Sequence, residues 1–257
     1  MVPNQGHTRA AGVGSIPVEA AQATLVGVRD GFDGKCLLRE PPKIYLVHAQ
    51  RVSMDPIATA FQSAWPAART AHLLEESLFT DFGRDGRLTD AMIERFRALG
   101  HYCVSAGADA ILFTCSAFGA AIDAVKRDQT IPVLKPNEAL YDEMLAIGGR
   151  IVLLATFAPT IASMSAEIAA HAKSRGVSLQ LDTHLVEGAL DALMQHRPDE
   201  HHRLIAEAAA KFQGHHAIAF GQFSMAPARS LAAARVSTPI LTTPDSAICK
   251  LKALMAR

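Results

Sequence analysis

Cysteine is scarce in this 257-residue chain: Cys36, Cys103, Cys115 and Cys249 are its four, and none form a Cys-x-x-Cys pair. That spacing offers neither a zinc site nor a dense disulfide framework, and it fits a thiol-reducing, cytoplasmic setting. A surplus of one charge is missing too, with 25 Lys+Arg against 25 Asp+Glu. A nucleic-acid binder needs a basic footprint, so no nucleic-acid partner is expected. Long apolar runs are absent. Stretches such as Ala110 to Phe113 and Ile151 to Ala155 are strand-length, far short of the roughly 20 residues that cross a bilayer. No GxGxxG, P-loop, GxSxG or HExxH pattern occurs, so phosphate cradles and zinc hydrolysis have no positive support. Neither a metal nor an organic cofactor is expected. What is plentiful is hydrophobic sequence, 49% of the chain, enough for a substantial core in one large or two small domains.

Residues 1–42 mix Gly, Pro and charge without a helical or strand period, and they read as a flexible N-terminal arm ending at Pro41-Pro42. The arm has no apolar core of a secretory signal. From Lys43 the pattern becomes regular. IYLV (44–47) suits a buried parallel strand, and Asp55-Pro56 reads as an N-cap followed by proline in the first helical turn. HLLEES (72–77) reads as a second strand. Thr89 caps a helix whose Met92, Ile93, Phe96, Leu99, Cys103 and Val104 share one face, and Gly107 ends it. AILFT (110–114), a helix from about Ala117 to Arg127, and IPVL (131–134) follow. Strands alternating with helices predict a parallel sheet covered on both faces.

The chain then repeats itself. A shift of 107 residues lays KIYLV (43–47) on RIVLL (150–154), HLLEES on LQLDTH (179–184) and GADAILFTC (107–115) on GHHAIAFGQ (214–222). The same shift lays Pro132 on Pro239 and Leu134 on Leu241. The repeat predicts two α/β halves related by a pseudo-two-fold, residues 43–137 plus 245–257 and residues 138–244. Ligands of open parallel sheets bind beyond the carboxyl ends of the strands, so a cleft between the halves is the expected site.

Residues just after the strands are therefore the candidates. Thr114, Cys115 and Ser116 follow the third strand and precede a helix, where the macrodipole and free N–H groups favour thiolate and can hold a carboxylate. Gly221, Gln222, Phe223 and Ser224 occupy the matching place, and His48 and Thr156 follow the first strand of each half. His184 and Glu187 are further polar candidates. Asp81, Asp85 and Gly86 read as a polar loop over the cleft. The pairs His201-His202 and His215-His216 read as solvated faces rather than metal ligands, and Cys103 as a core residue.

The repeat, ILFTCSAFG in the first half and GQFSMA in the second resemble the aspartate/glutamate/hydantoin racemase superfamily over roughly residues 43–257. The resemblance implies two flavodoxin-like halves with the active site between them and a C-terminal helix returning to the first half. Racemases of that family place a cysteine at each of two equivalent strand ends. Cys115 matches the first, but Gln222 stands at the second, and an amide does not titrate near neutral pH. The acidic residue that glutamate racemases carry near the first strand is replaced here by His48-Ala49-Gln50. The resemblance therefore implies a cofactor-independent isomerase or lyase acting on a small carboxylate through one cysteine. Cys115 would be nucleophile or acid/base and His48 its tuner. Thr114, Ser116, Thr156, Gln222 and Ser224 would hold carboxylate or enolate oxygens. Two alternatives stay open: a racemase with a second base other than cysteine, such as His184, and a non-catalytic carboxylate-binding protein. A homodimer is expected from the base rate for soluble enzymes.

Overall fold

The computed structural model describes residues 40–256, so the arm expected over residues 1–42 lies almost wholly outside the described residues, as does Cys36. Two four-stranded sheets form, both entirely parallel. The first contains β1 (Lys43–His48), β2 (Arg69–Leu74), β3 (Ala110–Phe113) and β4 (Val133–Leu134), in the order β2-β1-β3-β4. The second contains β5 (Arg150–Ala155), β6 (Gln180–Leu185), β7 (Ala217–Phe220) and β8 (Ile240–Thr242), in the order β6-β5-β7-β8. The strand order is the same in both, as the repeat predicts for two flavodoxin-like halves.

The intervening helices are α1 (Met54–Ala64), α2 (Ser77–Asp85), α3 (Asp90–Ser105), α4 (Gly119–Asp128), α5 (Glu138–Ile147), α6 (Ala158–Arg175), α7 (Ala189–Met194), α8 (Pro198–Ala209), α9 (Arg229–Ala233) and α10 (Thr243–Met255). Short 3₁₀ turns follow the strand ends at Arg51–Ser53, Ser116–Phe118 and Phe223–Ala228. The start of α3 follows the sequence: Met92 N–H donates to the Thr89 hydroxyl at 3.3 Å, and Gly107 takes φ +81° just past the last turn. Elsewhere the sequence reading shifts. Ser53, not Asp55, precedes α1, because a 3₁₀ turn runs directly into the helix. Asp81 and Asp85 lie on α2, not in a loop. There Arg84 binds both and Arg95 binds Asp81, neutralising a turn that composition alone presents as polar and open.

Strand register refines the repeat. Lys43 pairs with Arg69, but Arg150 pairs with Gln180, so β2 and β6 stand four residues beyond the common offset. Four residues are about one helical turn. The 3₁₀ turn plus α1 spans 51–64, and α6 spans 158–175, so the extra turn is the C-terminal one of α6.

The inner strands β1, β3, β5 and β7 are buried on both faces and so are largely continuous apolar runs instead of alternating ones. The edge strands β2 and β6 are mixed and at most half-buried. On the first sheet, Tyr45, Val47, Ile111 and Phe113 pack with α2, α3 and α4, while Ile44, Leu46, Ala110 and Leu112 pack with α1 and α10. Gly100 lets α3 approach α4, since a Cβ there would meet Val125 Cγ1 at 2.5 Å. On the second sheet, Ile151, Leu153, Ala217 and Ala219 pack with α5 and α6, and Val152, Leu154, Ile218 and Phe220 with α7, α8 and α9. The last helix thus lies on the first sheet, with Ala247, Ile248 and Leu251 in its core. Phe223, from the turn after β7, joins the same cluster beside Ile57 and Phe61. One side chain of the second half is therefore built into the core of the first. Among the described residues no helix is long and apolar enough to cross a membrane.

Candidate active site

His48 ends β1 fully buried, because β1 is central in its sheet and α1 covers that face. Its Nδ1 lies 2.9 Å from the Thr114 hydroxyl and its Nε2 lies 3.0 Å from His72 Nδ1. Thr114 Oγ1 is 3.0 Å from Ser53 Oγ, and Ser53 donates to the Gln50 carbonyl at 3.0 Å. With a neutral His48 the four contacts run in one series. His72 Nδ1–H donates to His48, His48 Nδ1–H to Thr114, Thr114 to Ser53, and Ser53 to a carbonyl that can only accept. The Thr114 hydroxyl also lies 3.4 Å from the Val47 carbonyl, a second acceptor for its proton. The His48 and His72 rings lie nearly coplanar, edge to edge along their contact, with centroids 5.1 Å apart and 10° between their planes. Burial first, and the neighbouring His72 second, push His48 down to about 4, so it is neutral at physiological pH.

That depression makes stability depend on pH. The unfolded chain binds a proton at His48 below about 6.5, and the folded protein does so only near 4. Stability is complete above pH 6.5 and falls as pH drops through that window, by up to about 3 kcal/mol. Urea unfolding measured from pH 7 to pH 4 is expected to show this slope in the native protein and a clearly flatter one in His48→Asn. The same slope in both would assign the acid sensitivity to other histidines.

Cys115 continues β3 in extended conformation (φ −117°, ψ 121°) before the Ser116–Phe118 turn. Consecutive extended residues alternate in direction. Thr114 faces Ser53 on the α1 side, and Cys115 packs with the cluster of α2, α3 and α4. The thiol borders a space too small for water, shared with Leu78, Phe96 and Phe113. Burial therefore pushes it above the ordinary thiol value, partly opposed by a backbone hydrogen bond from Ala117. This corrects the expectation of a thiolate favoured by the helix start. A 3₁₀ turn separates Cys115 from α4, and the apolar wall outweighs the dipole.

In the second half, Gln222 sits where Cys115 sits in the first. Its Oε1 accepts from Thr156 N–H at 2.7 Å and from the Thr156 hydroxyl at 2.9 Å. The backbone donor fixes the amide's orientation and leaves Nε2 without a protein partner among the described residues. Thr156 is buried and spent on Gln222, as Thr114 is spent on His48 and Ser53. Ala155 and Gly221 replace His48 and Thr114 at the equivalent places, so the hydrogen-bonded chain belongs to the first half. A Cβ at Gly221 would meet Met164 Sδ at 3.0 Å and the Leu154 carbonyl at 3.2 Å, which holds α6 tight on β7.

Ser224 is half-buried, and its carbonyl lies 3.2 Å from His201 Nε2, whose Nδ1 lies 2.7 Å from the Ala189 carbonyl. His201 is thus fully buried and ties the turn after β7 to α7 and α8; it is not on a solvated face. His215 pairs with Asp182 at 2.7 Å, and His184 rests its ring edge against Phe212. No group of three His, Cys, Asp or Glu among the described residues could hold a metal ion. Ser116 opens onto a separate cavity between α4 and α6. The turn after β7 meets both α1 and the turn after β1, so strand ends of the two halves face one another.

The Asp/Glu/hydantoin racemase family model matches residues 42–249. The chain belongs to that family. No curated protein sequence matches it. Among solved structures, it is similar to an aspartate racemase homologue from Pyrococcus horikoshii OT3 at 14% identity and TM-score 0.61, over 84% of this chain and 99% of that one. A mutant of arylmalonate decarboxylase in a sulfate-associated form is similar at 16% identity and TM-score 0.60, over 84% and 94% of the two chains. Allantoin racemase from Klebsiella pneumoniae follows at 18% and 0.56, over 84% and 88%. At these identities the likeness is one of fold.

Proposed function

We propose that this racemase-family chain is a cofactor-independent enzyme that acts on a small carboxylate and delivers a proton from Cys115 to one face of an enolate. The observation that carries this reading is the pairing of unlike residues at equivalent strand ends. One bears a thiol that burial holds neutral, and the other bears an amide with its oxygen already bonded. A neutral thiol is the form that gives up a proton, whereas abstraction or addition needs thiolate. In the lyase form of the reaction, a geminal carboxylate leaves as CO₂ and its bonding pair stays on the α-carbon as an enolate. The Cys115 S–H bond then breaks, the proton joins that carbon, and the thiolate recovers a proton from water. Gln222 Nε2 and the Ser224 hydroxyl would stabilise the developing oxyanion, each at roughly 3–4 kcal/mol for a well-placed donor, while Ser116 faces the separate cavity beside α4. His48, Thr114 and Thr156 are positioning residues: they fix the two strand ends and spend their polar atoms doing so.

The test is turnover of 2-substituted malonates followed by CO₂ release against pH. An acid with a raised pKa predicts a rate that is level through neutral pH and falls as pH rises past the ordinary thiol range. A rate that climbs with pH would instead assign thiolate chemistry, either covalent addition or proton abstraction. Ligand-induced stabilisation without turnover of any carboxylate would support the binding-protein alternative.

A further inference from the structure

A cavity of about 530 Å³ lies where α6 faces α4 and the segment leading into α5. The repeat supplies a comparison for it. Ser116 corresponds to Phe223, Tyr141 to Ile248 and Glu167 to Ala60. Those three counterparts pack against one another with Ile57 and Phe61 as solid apolar core. The same junction is therefore closed by hydrophobic packing in one half and left open, lined with polar groups, in the other.

Two further features make the opening a built one. The added C-terminal turn of α6 supplies Ser174 to the cavity wall and Arg175, which bridges to Asp142 on α5. Asn137, only 4% exposed, also lines the cavity and makes no capping bond to α5. The Tyr141 hydroxyl beside it donates to Glu167, and the Asn137 amide makes no side-chain hydrogen bond among the described residues.

The lining is bipolar. The starts of α4 and α5 both open here without side-chain caps, and free N–H groups at helix starts favour an anion. Lys135 and Lys126 stand beside them, paired with Asp123 and with Glu138 of the first turn of α5, each at 2.6 Å. On the α6 wall, Glu167 accepts from Tyr141 at 2.8 Å and has no cationic partner among the described residues. We propose that this cavity binds a small zwitterion, with its carboxylate toward the helix starts and Asn137 and its ammonium toward Glu167. The cavity is bordered by neither Cys115 nor Gln222, so the proposal stands independently of the reaction assigned to them.

Thermal unfolding of the full chain with 5-aminopentanoate, pentanoate and pentylammonium at equal ionic strength tests it. At 100 times its Kd, 5-aminopentanoate is expected to raise the midpoint by about 5–10 °C, with far smaller shifts from the two single-charge probes. Ala170→Phe, which fills the cavity from the exposed face of α6, and Glu167→Gln are each expected to remove the shift. Reactivity of Cys115 toward iodoacetamide should stay unchanged in both variants. Equal shifts from all three probes, no shift from any, or a shift that survives both variants would overturn the proposal.

Discussion

Replacing Cys115 with serine is expected to lower turnover by at least about 10³-fold while leaving the fold intact. The proposed step asks a single S–H bond to supply the proton, and a serine hydroxyl is far too weak an acid to do so near neutral pH. No second titrating group stands at the equivalent strand end, because Gln222 is an amide bonded to Thr156. Folding should survive, since serine is close in size to cysteine and the site is half-buried. Steady-state kinetics on a turned-over carboxylate, with unfolding curves of both proteins, checks this. Cys103→Ser is the matched control, because that thiol is wholly buried in the α3 core and raised to about 12 by burial. It should cost stability and spare turnover per folded molecule. Full activity in Cys115→Ser would remove the thiol from the chemistry.

Phe223→Ala is expected to destabilise the protein by about 3–5 kcal/mol, the range for truncating a buried aromatic. Phe223 is 5% exposed and packs among Ile57, Phe61 and Ile248, all outside its own half. The cost should therefore appear as a lower urea midpoint with the slope little changed, if the halves unfold together. Turnover should fall as well, since Phe223 adjoins Gln222 and anchors the turn that carries Ser224. Phe223→Leu should recover most of the stability. A loss below about 1 kcal/mol in Phe223→Ala would mean that the junction between the halves is held elsewhere.

Much of this architecture is legible in the sequence because buried parallel strands are written as short apolar runs, and the same runs recur after 107 residues. The first, third and fourth strands of each half keep that offset in the sheets. The second strands do not, because β2 and β6 are edge strands whose mixed sequences tolerate sliding, and the longer α6 moves β6 by a turn. Local signals served where the chemistry is local: Thr89 caps α3, and Cys103 faces the core. They failed where contacts join distant segments. Nothing near His48 announces that Thr114, Ser53 and His72 will saturate it, nor that Leu78 and Phe96 will wall in Cys115. His201 looked like half of a solvated pair, yet it bridges two carbonyls inside the second half. The cavity beside Ser116 has a signal in the repeat itself, where Ser116, Tyr141 and Glu167 stand opposite Phe223, Ile248 and Ala60.

One-sided proton delivery leaves a stereochemical record. The product formed by the wild-type protein in D₂O should carry a single deuterium at the α-carbon, in one configuration, and Cys115→Ser should form almost none. The same protein should fail to invert either enantiomer of that product on prolonged incubation. Deuterium entering both enantiomers with progress toward a racemate would contradict the account, since it requires a second acid/base group across from Cys115.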